Sequence, residues 1–361
     1  MNKTSTTNVT KLVTRLVEAK VETIKLGMDV HADNVVVSVQ EDRSLPKRAL
    51  RMSYEQVLML VKGLVAAGIK VYSCYETGPC GYQLHRGIVA TGATNYVVAA
   101  RALSDGRKQK TDGLDAGTLV YHLDRYLGGY TKAFTVVRVP TPEEEQAKLQ
   151  AHLRDQLKKS RHQWESRGRS LLLSQGYHVK GRWWAKLPWE ALRPTLPEWL
   201  VAELTIMRAA LLPIDAEEQK RRATLEKTAP KDLPKAVGAL TWVLLAREIC
   251  NWQRFKNRRQ VSSYTGLCPG VEQSGTTKHD GSINRHGNPR VRALLIELVW
   301  RLTRWQPDYP PVRALVARVA RGGARRKLAV AAARKLAVDL WRLATKQTTP
   351  EKLKLFVPVA L

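Results

Sequence analysis

Four carboxylates stand where an α/β fold would bring side chains to a cleft. Asp29 interrupts the apolar segment IKLGMDV, and Glu76 directly follows the apolar segment VYSCY. Asp112 and Asp115 are three residues apart, so a helix starting near Thr111 would place both on one face. Carboxylates that converge repel each other unless a cation lies between them, and Mg²⁺ or Mn²⁺ prefers oxygen ligands. Two such ions activate a nucleophile and stabilise the leaving oxygen in phosphodiester chemistry. The alternatives are a helix cap for Asp112 and a surface turn for Asp29.

The charge of the chain indicates a polyanionic partner. Lys and Arg number 60 against 32 Asp and Glu, which gives a net charge of +28 and a pI of about 10.2. A hydrophobic fraction of 44% in 361 residues supports globular cores and excludes global disorder and a small stapled domain. No run approaches the roughly 18 apolar residues of a spanning helix, and the N-terminus lacks a signal-peptide pattern. We therefore expect a cytoplasmic, nucleoid-associated protein without membrane contact.

The N-terminal part of the chain has the alternating pattern of a layered α/β domain. Two β-branched runs within residues 24–40 flank turn-forming residues and predict a β-hairpin. Apolar spacing then predicts helices over 54–67 and 82–89. It predicts strands over 71–75 and 95–98. Strands that alternate with helices indicate an α/β domain over residues 20–135.

Residues 140–230 have the pattern of an antiparallel helical hairpin, a coiled-coil spacer. The first helix carries an apolar stripe, Leu149, Leu153, Leu157, Trp164 and Leu171. The second carries a heptad seam, Leu200, Leu204, Met207, Leu211 and Ile214. The turn between the helices holds three aromatic residues among basic ones, Trp183, Trp184 and Trp189. We interpret these rings as a dimer-packing face, with stacking on nucleic-acid bases as the alternative.

Residues 231–345 are predicted to form a mainly helical domain. An apolar helix over 237–249 precedes a flexible Gly/Ser/Thr-rich loop over 262–288, and basic helices follow. Residues 301–361 hold 14 Lys or Arg and three acidic residues, which favours phosphate contact over a solvated charged face. The residues expected to make that contact include Arg325, Arg326 and Lys327. The cysteines lack metal-ligand and disulfide spacing and are predicted to be buried thiols: Cys74, Cys80, Cys250 and Cys268.

Three motifs of the α/β region carry a family resemblance. GMDVH, YETGPCGY and KTDGLDAGTL, in this order, resemble the RuvC-like, ribonuclease-H-type domain of the IS110 family of insertion-sequence transposases, also called DEDD transposases. The resemblance extends from about Lys25 to Leu298. It implies a RuvC-like fold and a catalytic Mg²⁺ or Mn²⁺ site whose ligands are Asp29, Glu76, Asp112 and Asp115.

The segment 264–295 resembles the C-terminal transposase domain of the same family. In that domain a G-L-x-P segment precedes a serine-glycine pair, and a later G-N opens a helix. The matching residues here are Gly266, Leu267, Pro269, Ser274, Gly275, Gly287 and Asn288. Family members often carry two serines before that glycine, whereas this chain has Gln273 before Ser274. The resemblance implies that Ser274 is the nucleophile. From the residues alone, Ser274 would be interpreted as an ordinary loop serine. Lower-ranked candidates for the nucleophile are Ser262, Ser263 and Ser282.

The hydroxyl of Ser274 would provide a covalent route to strand exchange. Attack on a DNA phosphodiester would form a phosphoserine link and conserve the bond energy for rejoining. Metal held by the acidic tetrad would activate the hydroxyl. Cations near the serine are expected to bind the phosphate charge of the transition state, namely Lys278, Arg285 and Arg290. We interpret His279 and His286 as loop or phosphate contacts and not as zinc ligands.

The resulting hypothesis is a DNA transposase or recombinase. The resemblance implies a homodimer or homotetramer with composite active sites, and a noncoding bridge RNA that pairs with donor and target DNA. Such pairing would explain the basic charge and the lack of a helix-turn-helix reader. Two alternatives stay open: a structure-selective DNA endonuclease that uses water, and a non-enzymatic nucleic-acid-binding protein.

Overall fold

The chain divides into two compact units, residues 1–139 and residues 140–361. The computed structural model describes residues 6–99, 112–274 and 277–357. A five-stranded mixed sheet in the first unit confirms the predicted α/β class, and helices dominate the second unit. No helix in the described part of the chain is long and apolar enough to cross a membrane.

The first unit is built on a sheet with the strand order β3-β2-β1-β4-β5. β1 pairs antiparallel with β2 and parallel with β4; β2–β3 is antiparallel and β4–β5 is parallel. The elements are α1 (Thr6–Glu18), β1 (Thr23–Val30), β2 (Val35–Glu41), β3 (Leu50–Met52), α2 (Tyr54–Ala66), β4 (Lys70–Glu76), α3 (Gln83–Ala90), β5 (Thr94–Val98) and α4 (Asp112–Leu127).

The predicted hairpin, helices and strands of this unit are confirmed. The hairpin is β1–β2, and the capping box at Ser53 fixes the start of α2. Helix α2 buries Val57, Leu60, Val61 and Leu64 against the sheet. Two elements escaped the sequence patterns: α1, which buries Val9 and Leu16, and the three-residue edge strand β3.

Helix α4 lies directly on strand β1 because Gly27 has no side chain. A Cβ at Gly27 would stand 2.3 Å from the carbonyl oxygen of Ala116 and 2.6 Å from the backbone nitrogen of Val120. Atoms at such distances clash, so only glycine permits this approach of two backbones. Beside the contact lies a small apolar cluster, Cys74, Val98, Leu119, Leu123 and Phe134.

The second unit consists of helices and one small hairpin. Its elements are α5 (Pro142–Ser174), α6 (Lys186–Leu192), α7 (Glu198–Glu226), α8 (Ala239–Ile249), α9 (Arg258–Thr265), β6 (Pro269–Ser274), β7 (Thr277–Ile283), α10 (Pro289–Trp305), α11 (Pro310–Ala320) and α12 (Arg325–Ala344). Helices α8 to α12 share one apolar core. The predicted flexible loop over 262–288 is wrong in its central part, where antiparallel β6 and β7 form a ladder.

Helices α5 and α7 pack as the predicted antiparallel hairpin, and the predicted stripe of α5 joins their core at Trp164 and Leu171 but not at its N-terminal end. Leu149 and Leu153 are 60% and 40% exposed. The buried face of α5 instead contains Arg154, whose Nη2 lies 2.6 Å from Oε1 of the buried Glu218 on α7. Because an ion pair occupies this part of the interface, the two leucines are displaced to the surface.

The three tryptophans of the hairpin turn are buried within the chain, so both interpretations of them, a dimer face and base stacking, are wrong. Trp183, Trp184 and Trp189 pack against Leu172 and α7. Trp183 fits over Gly168, where a Cβ would meet its ring at 2.1 Å, and its indole nitrogen donates to the carbonyl oxygen of Glu165 over 3.0 Å. The rings form the apolar core at the end of the hairpin where the chain turns from α5 to α7.

The cysteines are less buried than predicted. Only Cys74 is fully buried, and Cys80, Cys250 and Cys268 are half-buried. None of the four forms a disulfide, and all four lie in the described part of the chain. Burial first, and then the charge of Glu76, raises the pKa of the Cys74 thiol, which therefore stays protonated.

Candidate active site

Two of the predicted carboxylates end neighbouring parallel strands. β1 and β4 pair through Met28 and Tyr75. Asp29 and Glu76 are the next residues on these strands, and both are half-buried. Because the strands run in the same direction, the two carboxylates lie at one edge of the sheet.

Asp29 belongs to the face of the sheet that α4 covers. Side chains alternate between the two faces along a strand, so Asp29 shares its face with Lys25 and Gly27. Gly27 contacts the backbone of α4, and Nζ of Lys25 lies 2.6 Å from Oδ1 of Asp124 on the same helix. The carboxylate of Asp29 is therefore on the α4 side of β1.

Glu76 and Asp115 reach the same side from β4 and α4. Cys74, two residues before Glu76, packs against α4, and its thiol donates to the carbonyl oxygen of Leu119 over 3.5 Å. Asp115 lies in the first turn of α4 and directly precedes Ala116, which rests on β1. Three of the four predicted ligands thus lie on elements that pack together, Asp29 on β1, Glu76 on β4 and Asp115 on α4.

The sequence patterns did not reveal the partner of Asp29. Nε2 of His31 lies 3.2 Å from Oδ2 of Asp29, and the hydroxyl of Tyr54 donates to the His31 carbonyl oxygen over 2.8 Å. Burial, followed by the hydrogen bond with Cys80, raises the pKa of Tyr54 to about 12, which keeps this hydroxyl a donor at neutral pH. The available signal was the two-residue spacing, which puts residues 29 and 31 on one side of an extended chain.

The donor chemistry of the three carboxylates suits a divalent cation, although the described side chains do not close around one. Carboxylate oxygens are ligands that Mg²⁺ and Mn²⁺ prefer. Among the described residues, no group of three or more His, Cys, Asp or Glu side chains could hold a metal ion. The side chain of the fourth predicted ligand, Asp112, lies outside the described residues. The metal-binding tetrad therefore stays a prediction.

Ser274 ends strand β6 at the tip of the hairpin. It pairs with Thr277 across the turn, and Gln273 pairs with Lys278. The side chains of Ser274, Lys278 and His279 lie outside the described residues, as does residue Gly275. The backbone of the predicted nucleophile thus belongs to a strand end and not to an irregular loop.

The glycines of the C-terminal motif lock the base of this hairpin. A Cβ at Gly287 would lie 2.3 Å from the backbone nitrogen of Gly266 and 2.5 Å from the carbonyl oxygen of Tyr264. Gly266 itself has a φ of +65°, a left-handed conformation that favours glycine. The backbone nitrogen of Asn284 also donates to the carbonyl oxygen of Cys268 over 2.9 Å. The two chain segments that carry the hairpin are held together backbone to backbone.

A buried carboxylate, Glu248, joins this base to the long helix α5. Asn288 caps α10, and its Nδ2 donates to Oε2 of Glu248 over 2.7 Å. Lys148 and His152 of α5 contact the same carboxylate. Burial alone would raise the pKa of Glu248, but the Asn288 hydrogen bond and the Lys148 and His152 contacts outweigh it and lower that pKa. Glu248 is therefore ionised at neutral pH and fixes three helices.

The predicted phosphate-binding cations have different surroundings. Arg285 is exposed with a φ of 59°, whereas Arg290 forms an ion pair with Asp155. Arg325 stacks on the ring of Trp300 at 4.8 Å, and its neighbours Arg326 and Lys327 are exposed on the first turn of α12. A helix N-terminus disfavours cations, so this cluster has no helix-stabilising role.

Comparison with known proteins gives a family. Residues 234–313 match the transposase family IS116/IS110/IS902. Two proteins of Sinorhizobium fredii with provisional transposase names are similar: y4rJ, 33% identical over 74% of this chain and 75% of its own length, and y4qE, 26% identical over 70% and 62%. The transposase of insertion sequence element IS1533 from Leptospira borgpetersenii is 22% identical over 77% of this chain and 85% of its own length. The chain belongs to the IS116/IS110/IS902 family of transposases.

Proposed function

We propose that this transposase cuts and rejoins DNA strands with a metal-dependent carboxylate site and a serine nucleophile. The observation that supports the proposal is that Asp29 and Glu76 end neighbouring parallel strands under α4, the helix that carries Asp115. If these acidic residues were not metal ligands, we would expect them to pair with some of the many cations of a chain whose net charge is +28.

The architecture of the first unit supports a RuvC-like, ribonuclease-H-type assignment. Three antiparallel strands are extended by two parallel ones, in the order β3-β2-β1-β4-β5. Helix α4, which carries Asp115, covers the face on which Asp29 and Glu76 lie. This arrangement supports the RuvC-like fold that the family resemblance implies for the DEDD domain.

Each group in the site has a distinct role in the proposed reaction. Asp29, Glu76, Asp112 and Asp115 would hold Mg²⁺ or Mn²⁺, which when bound would lower the pKa of an attacking hydroxyl and stabilise the leaving oxygen. The hydroxyl oxygen of Ser274 bonds to the phosphorus as the bond to one DNA oxygen breaks. The serine loses its proton, and the leaving oxygen takes one up. Lys278 and Arg285 would contact the phosphate oxygens.

The partners follow from charge and from the resemblance. A net charge of +28 suits contacts with donor and target DNA and with a structured noncoding RNA. Base pairing by such a bridge RNA would supply sequence specificity while the protein holds backbones. A homodimer or homotetramer would bring the carboxylate site of one subunit to the serine of another.

The decisive experiment tests the two chemical groups separately. Full-length protein is incubated with Mg²⁺, its co-purified RNA and end-labelled DNA of the element, and covalent protein–DNA product is measured after denaturing electrophoresis. Ser274→Ala should abolish both cleavage and covalent product, and Asp29→Asn should lower cleavage by about 10³-fold. Asp33→Asn is the matched control: it removes the same charge from an exposed turn beside the site and should retain cleavage.

Each deviation identifies an alternative. Metal-dependent cleavage that persists in Ser274→Ala without covalent product would indicate a structure-selective endonuclease that uses water. Unchanged activity in Asp29→Asn would contradict the carboxylate site. DNA binding without cleavage in the wild-type protein under all these conditions would favour a non-enzymatic nucleic-acid-binding protein.

A further inference from the structure

A cavity of about 550 Å³ opens between α9 and α12 in the second unit. Its volume lies in the range of ligand sites in proteins. Five cationic side chains line it, and the single acidic residue of its lining is Asp339. The cations are Arg258, Arg259, Arg334, Lys335 and Arg342. Neither the family motifs nor the proposed reaction uses this cavity.

The single carboxylate of the cavity is already engaged. One oxygen of Asp339 accepts a hydrogen bond of 2.7 Å from the hydroxyl of Tyr309, and the other lies 3.5 Å from Nη1 of Arg342. Burial and this carboxylate raise the pKa of Tyr309, which keeps its hydroxyl a donor. The other four cations make no ion pair with a carboxylate of the described residues. The cavity therefore has an excess of positive charge that favours an anion.

The position of Arg258 and Arg259 is not explained by the stability of their helix. Arg258 and Arg259 lie in the first turn of α9, where the helix dipole disfavours positive charge. Asn257 already caps this helix by accepting from two backbone nitrogens. Like charges collected around one concave surface repel each other, and a bound phosphate relieves that repulsion.

The cavity adjoins the hairpin that carries Ser274. Its lining includes Cys268, which directly precedes β6, and Ser262, whose hydroxyl is a neutral phosphate donor. The six residues of β6 span about 20 Å from Cys268 to Ser274. A DNA strand whose phosphate lies at the serine can thus place another phosphate, a few nucleotides further along the same strand, in the cavity.

We propose that the Arg258, Arg259, Arg334, Lys335 and Arg342 cavity binds the backbone phosphates of the DNA strand that is being cut. This proposal rests on the proposed function only in its choice of DNA as the occupant. The phosphates contact both helices, so binding couples α9 and α12 to the base of the hairpin. The site holds and orients the strand, and it takes no part in bond breaking.

The first test is the salt dependence of binding. Affinity of the full-length protein for a duplex of about 40 base pairs is measured over a range of salt concentrations. Arg258→Gln/Arg334→Gln removes one cation from each helix; it should lower the slope of log K against log salt by about 1.8 and weaken binding by about 60-fold at 0.1 M salt. The control Arg313→Gln/Arg318→Gln removes the same charge from the exposed face of α11 and should change the slope far less. Equal slopes in both variants would overturn the proposal.

The second test locates the DNA without mutation. Cys268 and Cys250 are both half-buried, and of the two only Cys268 lines the cavity. Saturating DNA should slow alkylation of Cys268 by N-ethylmaleimide at least about fivefold and leave Cys250 unchanged, as read by peptide mass spectrometry. Protection by single-stranded RNA but not by DNA would overturn the choice of DNA, and no protection by either would overturn the site. Ser274→Ala should keep this footprint, so a failure of the serine mechanism is distinguishable from a failure of the cavity.

Discussion

The two units differ in how far buried ion pairs contribute to their helix contacts. In residues 1–139, α4 meets the sheet through Gly27 and an apolar cluster, with backbone against backbone. In residues 140–361, α5 meets α7 and α8 partly through apolar clusters and partly through buried charges, with Arg154 on Glu218 and His152 on Glu248. Apolar contact is specified by residues that repeat along one segment, whereas an ion pair requires one particular partner far along the chain. The first arrangement is therefore visible in sequence and the second is not.

The same difference separates two kinds of acidic residue. Glu218 and Glu248 are buried among polar and cationic partners and hold helices together, so their charges stabilise the fold. Asp29 and Glu76 end neighbouring strands and are half-buried, and His31 lies beside Asp29. In so basic a chain the partner of an acidic residue, and not its presence, separates a structural role from a candidate catalytic one.

The chain offers a simple way to examine the units separately. All 10 tryptophans lie in residues 140–361, so tryptophan fluorescence follows the second unit alone. Far-UV circular dichroism follows both units. Urea unfolding recorded with both signals therefore assigns a loss of stability to one unit or to the other.

The largest effect is expected at Gly27. Gly27→Val places a side chain against the backbone of α4, which cannot move without leaving the sheet, and should destabilise the first unit by about 4 kcal/mol or more. The circular dichroism transition should shift to lower urea while the fluorescence transition stays in place. Gly117→Ala is the control, because a Cβ there meets nothing within 4 Å and should stabilise α4 by about 0.5–1 kcal/mol. A joint shift of both signals would show that the units unfold as one and would break the comparison.

Much of the first unit could be predicted because its signals are local. The β1–β2 hairpin, α2, β4, α3 and β5 follow from residue periodicity within each segment. The placement of Asp29 and Glu76 at one edge follows from the shared direction of β1 and β4. His31 and Lys25 were missed because residue spacing puts side chains on one face of a segment but does not show which polar partner each of them meets.

The second unit was predicted less well because its contacts join distant segments. The apolar stripe through Leu149 and Leu153 was a reasonable helix signal, but Arg154 occupies the interface once Glu218 is in place. The tryptophans of the turn look like surface rings until Gly168 provides room for Trp183. The cavity between α9 and α12 likewise has no signature within either helix.

A smaller loss is expected at Glu218, and it should appear in the other signal. Glu218→Ala removes the buried carboxylate that pairs with the guanidinium of Arg154, which then has only the half-buried Asp155 beside it, and should destabilise the second unit by about 3 kcal/mol. The fluorescence transition should shift to lower urea. Glu217→Ala removes the same charge from the neighbouring, half-exposed position, where the carboxylate pairs with Arg221, and should cost at most about 0.5 kcal/mol. If both variants cost the same, the buried pair does not hold the hairpin together.

The smallest effect is expected at Glu248, and pH reveals it. The folded state lowers the pKa of this carboxyl below its ordinary value of about 4.5, so the ionised form stabilises the fold. That contribution is complete above the unfolded value and disappears as the pH falls through the folded one. Glu248→Gln keeps the shape but loses the charge that faces Lys148, His152 and Arg290, and should cost about 1–2 kcal/mol at pH 7.

The difference between wild type and Glu248→Gln should therefore shrink below about pH 4.5, as measured by urea unfolding with tryptophan fluorescence. The exposed Glu297, which pairs with Arg301 one helical turn away, gives the control Glu297→Gln, whose small cost should not depend on pH in this way. A cost of Glu248→Gln that stays constant down to pH 3 would mean that the carboxyl acts through its shape and hydrogen bonds alone. The charge at the base of the Ser274 hairpin would then be dispensable, and the contrast between apolar and ionic packing would rest on the Arg154–Glu218 pair.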